Sequence, residues 1–145
     1  MMFVVAGGLA FRPSGMTKNG AQATTTSFAD ITGWTADTGT YPGSSVNSNT
    51  SLVAQAAKTG ATLTANIPFS GGTYTFGTGT QVRILVNGTV VGTGTAVQAS
   101  SGTATCTVTG QTIASGDLVK VQILASGYSG QPSVTTGAGT YVRIT

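Results

Sequence analysis

Asp30, Asp37 and Asp117 are the only carboxylates in a chain of 145 residues that contains no Glu and no His. That inventory closes most routes to chemistry. A Ser-His-Asp or Cys-His nucleophile needs an imidazole to take its proton, and there is none. A Ser-Lys pair is available on paper, but no spacing supports one. Hydrolysis of a sugar bond by paired carboxylates needs two acids flanking the bond; three scattered Asp define no such setting. Zinc needs thiolates and imidazoles, and Cys106 stands alone. Calcium usually draws on several carboxylates. The expectation is a protein with no catalytic residues, no metal and no cofactor.

Two of the acids read as turn residues. Asp37 lies in "ADTGT" (36–40), whose Asp-Thr-Gly tripeptide also surrounds the proton-sharing aspartates of aspartic proteases. Here it follows Trp34 and runs into Tyr-Pro-Gly, so a turn with the carboxylate bonding its own backbone is the better reading. Asp117 lies in "ASGDLVKVQI" (114–123). Gly116 supplies an unusual backbone angle, Asp117 bonds nearby N–H groups, and a strand follows. Trp34, Tyr41, Tyr74 and Tyr128 fall in turn-rich stretches. Aromatics supply much of the area buried in cores and interfaces, so packing is the favoured role. Trp34, Tyr41 and Tyr128 are nevertheless carried forward as candidate contacts to a glycan or a partner. The "NTS" at Asn49 and "NGT" at Asn87 match a glycan acceptor pattern but read better as turns.

Charged residues make up 6% of the chain, against about 25% in ordinary soluble domains. The net charge of +3 reflects a shortage of acids. Arg12, Lys18, Lys58, Arg83, Lys120 and Arg143 are spaced singly, which argues against a phosphate-tracking groove and so against nucleic acid as a partner. The surface must therefore be built from Thr, Ser, Asn, Gln and Gly, and low-charge surfaces associate. Cys106 sits in the alternating "TATCTVTG" and is expected to be a small buried hydrophobe. The opening "MMFVVAGGLAF" is too short for a membrane span and lacks the basic start of a signal peptide. It is read as part of an N-terminal strand or arm over residues 1–20, with Phe3, Val4, Val5, Leu9 and Phe11 docking on a neighbouring copy and no membrane insertion.

These residues must be positioned by strands, because no segment keeps a helical period. "ATLTANIPF" (61–69) puts Ala61, Leu63, Ala65 and Ile67 on one face and Thr62, Thr64 and Asn66 on the other. "QVRILVNGTVVGTG" (81–94) reads as a hairpin with Val82, Ile84 and Val86 on one face. Its Asn87-Gly88 turn needs positive φ at both positions. "TATCTVTG" (103–110), "DLVKVQILA" (117–125) and the closing "TYVRIT" (140–145) are further strands, and the last is expected inside a sheet. The turn-rich "GWTADTGTYPGSSVNSNTS" (33–51) is the best loop for a contact surface. Eight to ten short strands without helices predict an all-β antiparallel sandwich of jelly-roll type over residues 21–145.

The ordered set "LVNGTVV", "ASGDLVKVQI" and "GTYVRIT", spanning residues 81–145, resembles the globular-head jelly roll of complement and tumour-necrosis-factor-type proteins. That resemblance implies a sandwich assembled as a homotrimer. The chain departs from the pattern in lacking most of the family's core aromatics. A second resemblance spans nearly the whole chain. "FRPSGMTKNG", "ITGWTADTGTYPGSSV", "KTGATLTANIPFSGG" and "TTGAGTYVRIT" are similar to small virion proteins of phages that infect actinobacteria, generally called minor tail proteins; related folds decorate capsids. That family offers no catalytic residues to transfer.

Together these readings predict a homotrimeric structural protein of the virion, assembled in the host cytoplasm. The tail tip is the first placement and capsid decoration the second. Partners would be other copies and other virion proteins, with a host cell-wall glycan as a further candidate. A carbohydrate-binding adhesin module is the rival class. Val121, Ile123, Tyr141 and Val142 are expected near a three-fold axis.

Overall fold

The computed structural model of the chain describes residues 10–145. Phe3, Val4, Val5 and Leu9, expected in a docking arm, lie outside the described residues. The described chain forms two antiparallel sheets and no helix. The strands are β1 (Ser14–Lys18), β2 (Gln22–Ala23), β3 (Ala29–Asp30), β4 (Trp34–Ala36), β5 (Val46–Asn47), β6 (Ser51–Val53) and β7 (Lys58–Ser70). They continue as β8 (Thr73–Val86), β9 (Thr89–Thr93), β10 (Gly102–Ile113), β11 (Leu118–Gly130), β12 (Ser133–Val134) and β13 (Gly137–Ile144).

The first sheet is ordered β4-β1-β13-β7, with β10 and the β12-β2 pair also on β7. The second runs β5-β6-β11-β8-β9, with β3 on β11. The chain crosses between sheets from β2 to β3, β3 to β4, β4 to β5, β6 to β7, β7 to β8, β9 to β10, β10 to β11 and β11 to β12, so apart from the β8–β9 hairpin the long strands pair with partners distant in sequence. This is the all-β jelly-roll sandwich expected. The closing strand lies inside its sheet, between β7 and β1.

Period-2 alternation builds the core. Ala61, Leu63, Ala65, Ile67 and Phe69 of β7, Ala104 and Cys106 of β10, Val142 and Ile144 of β13 and Met16 of β1 face inward from the first sheet. Val82 and Ile84 of β8, Val119, Val121 and Ile123 of β11 and Leu52 of β6 meet them from the second. Small Ala and Cys side chains on the first sheet let the branched residues of the second approach closely, which replaces the aromatic bulk of a larger core.

Two expectations need correcting. Residues 11–20, expected to belong to a separate N-terminal strand or arm, join the sandwich, because β1 pairs with both β13 and β4 and its Met16 is fully buried. Phe11 packs against the same core, with the Lys58 ammonium 4.6 Å from its ring centroid. Val121, Ile123 and Val142 are at most 1% exposed, filled in between the sheets. They cannot touch a neighbour; alternation sends them inward.

The turns form as their residues dictate. Asn87 and Gly88 take φ of +49° and +84°, the double positive φ that this hairpin turn demands. Asp117 binds two turns together. Its Oδ2 accepts from the Ala114 N–H at 2.9 Å, and its Oδ1 accepts from Asn87 Nδ2 at 3.0 Å. Asn87 Oδ1 in turn accepts from the Leu118 N–H at 2.9 Å. Gly116, at φ +90°, makes the bend.

Candidate functional site: an arginine–tyrosine face on the first sheet

The three acids are occupied with local structure. Asp37 Oδ1 accepts from the Thr40 N–H at 3.2 Å, closing the turn expected there. Asp30 meets Lys120 at 3.1 Å, the only ion pair among the described residues, and accepts from Gln122 Nε2 at 2.9 Å. Partial burial opposes ionisation of Asp30, but the Gln122 and Lys120 contacts outweigh it and hold the pKa below the usual carboxylate value. Cys106 is buried, and loss of solvent pushes its thiol pKa up, which leaves it an unreactive packing residue. Among the described residues no three potential ligands from His, Cys, Asp and Glu come together.

The aromatic candidates separate. Trp34 is 3% exposed, and its Nε1 donates to the Ile31 carbonyl at 2.8 Å. It is a core residue, the packing role favoured for it, and it offers no face to a sugar, which removes it as a candidate contact. Tyr128 is half-buried, edge-on to Tyr74, and its hydroxyl is spent on Thr80 and the Ala99 carbonyl. Tyr41 is half-buried and lies over Gly15, where an added Cβ would run into its ring. The three do not converge on one site.

What does converge is the solvent side of the first sheet. Register places Thr17, Tyr141, Asn66 and Thr105 in one row across β1, β13, β7 and β10. The next row is Gly15, Arg143, Thr64 and Thr107. Arg143 is the sole charge in these two rows. Its guanidinium carbon lies 3.6 Å from the Tyr141 ring centroid and 5.6 Å from that of Tyr41, a cation set against two aromatic faces. Gly15, with no side chain, leaves the space that Tyr41 fills. The Arg143 Nε is buried and has no hydrogen-bond partner among the described residues. A buried donor left unpaired costs about 1–3 kcal/mol.

Sequence reading singles out Tyr141 but not Arg143, which shares its face. The available signal was alternation itself, because Tyr141 and Arg143, two apart, must share a face while Val142 points away.

No protein-family model matches this chain, and no curated protein does. Solved structures do. The Eiger TNF structure from S. frugiperda aligns with a TM-score of 0.62 at 8% identity, covering 92% of this chain and 90% of that one. Murine APRIL at pH 8.5 aligns with a TM-score of 0.59 at 9% identity, covering 93% and 98%. A second murine APRIL structure, at pH 5.0, gives 0.56 at 12% identity over the same shares. At such identities the likeness concerns the fold: a TNF-like jelly roll.

Proposed function

We propose that the chain is a non-enzymatic structural subunit of a phage particle, a homotrimer joined through the Arg143–Tyr141 face and placed in the tail or at its tip. The observation that carries the assembly reading is the buried, unpartnered Arg143 Nε at the centre of a broad face otherwise lined with Thr and Asn. A neighbouring copy supplies the missing acceptor from a hydroxyl or a carbonyl. Three copies about one axis repeat that contact in a closed ring. The phage placement is supported by the resemblance of the segments around residues 11–20, 31–46, 58–72 and 135–145 to minor tail proteins, and by a surface poor in charge.

Labelling purified particles with a gold-conjugated antibody against this chain is expected to mark the tail tip. Label on the capsid shell would move the subunit to decoration. Absence of the chain from purified particles would sink the virion reading.

A further inference from the structure

Phe76 is 86% exposed, the most exposed large hydrophobic side chain described. It is not on a loose loop. It lies in β8 opposite a register shift in β11 between Ser126 and Tyr128, flanked by Gly77 at φ +126° and across from Gly127 at φ +88°. A Cβ on Gly127 would collide with the Phe76 carbonyl oxygen. The Gly77 carbonyl accepts from Tyr74 Oη at 2.8 Å and from Gln98 Nε2 at 2.9 Å. Thr75 Oγ1 donates to the Gly127 carbonyl at 3.0 Å. Both neighbours of Phe76 are thus fixed by side-chain hydrogen bonds, and the bulge aims the ring outward. An anchor held rigid before binding loses little entropy when it docks.

A matching recess lies at the other end of the sandwich. Arg12, Pro13, Thr40, Tyr41 and Pro42 line a largely apolar depression of ≈ 360 Å³. Gln55 Nε2 donates to the carbonyls of Pro13 and Pro42, at 3.0 and 3.1 Å, and so ties its two walls together. Tyr41 and Pro42 are held in a turn closed by the Ser44 N–H on the Tyr41 carbonyl at 3.1 Å, with Gly43 at φ +86°. Pro13 adjoins Ser14, which pairs with Ile144, itself opposite Leu63 near the start of β7. Phe76 follows the turn after Ser70, at the far end of β7. The run from Leu63 to Ser70 alone spans about 23 Å.

We infer that Phe76 of one copy inserts into the Arg12–Pro13–Tyr41–Pro42 recess of the next, linking copies end to end. The chemistry is complementary. Residues 71–82 and 124–139 carry no charge, so nothing near Phe76 opposes desolvation. Arg12 makes no ion pair among the described residues and is available to lie against the phenyl face. Knob and recess lie toward opposite ends of the molecule, so copies stacked end to end leave a free knob and a free recess after each junction, and the contact propagates. It extends the assembly reading; Tyr41, whose ring Arg143 also faces, is the one residue it shares with the trimer face.

Sedimentation velocity of the full chain over rising concentration tests this. The wild type is expected to grow beyond its basic oligomer, with Phe76→Ser and Pro42→Asp each weakening that growth about tenfold or more. Both variants should keep the wild-type basic mass and circular dichroism, so failure here is distinguishable from failure of the trimer. Mixing the two variants should restore a single junction and no longer chains, because one keeps the recess and the other the knob. Growth unaffected by Phe76→Ser would overturn the inference, as would no growth in the wild type. So would growth that survives Phe76→Ser but is lost on deleting residues 2–9, which would put the N-terminal segment in the recess.

Discussion

Arg143→Glu is expected to turn the proposed trimer into single chains at micromolar concentration, with little change in the fold of each. Arg143 faces away from the core, so the chain itself loses chiefly the cation–aromatic contact with Tyr141, worth about 0.5–1 kcal/mol at an exposed site. The assembly loses far more. A guanidinium whose buried Nε would take an acceptor from the neighbouring copy is replaced by a carboxylate that needs donors where Thr and Tyr side chains supply few. Disrupting a buried charged contact at an interface costs about 2–5 kcal/mol, and symmetry repeats that cost at every copy. Arg143→Lys should give an intermediate result, because it keeps the charge and loses the flat stacking on Tyr141. Light scattering reads both. An Arg143→Glu protein with unchanged mass would show that another surface holds the copies together.

The second large effect lies in the core. Phe69→Ala is expected to cost about 3–5 kcal/mol, the range for deleting a buried aromatic ring. Phe69 is 2% exposed near the end of β7, where its ring packs beside Gly102 on β10 and its backbone pairs with Val134 on β12. Gly102 has no side chain to move into the space left behind, so a cavity persists. For a chain of this length the loss corresponds to a fall in Tm of about 10–15 °C. Differential scanning calorimetry checks it; a fall of less than about 3 °C would mean that the sheets do not close over this ring.

The strands were legible wherever alternation was clean. β7 and the β8–β9 hairpin announced themselves through Ala61-Leu63-Ala65-Ile67 and through Asn87-Gly88, whose turn geometry needs no tertiary help. The jelly-roll order followed from turn-separated strands without a helical period. The error in the assembly residues was one of period. Tyr141 and Val142 were grouped, although neighbours in a strand face opposite ways; Arg143 was the residue that belonged with Tyr141. Val121 and Ile123 looked equally fit for a core or an interface, because apolar alternation marks a buried face without saying what buries it. Trp34 stays a candidate contact on sequence because its surroundings are turn-rich, but the favoured packing role is the one it takes, since the short β4 beside β1 folds it beneath the sheet. Phe76 was invisible for a non-local reason. Its exposure depends on Gly77 meeting Gly127 across a bulge, a pairing that no local pattern reports. Tyr41, Pro42 and Pro13 likewise become one recess only when Gln55 joins their carbonyls.

Sedimentation equilibrium of the purified wild-type chain, followed by dilution through the micromolar range, tests the central claim most directly. A species of three chain masses that persists on dilution and is lost with Arg143→Glu is expected. A wild-type protein that sediments as a single chain throughout that range would contradict it.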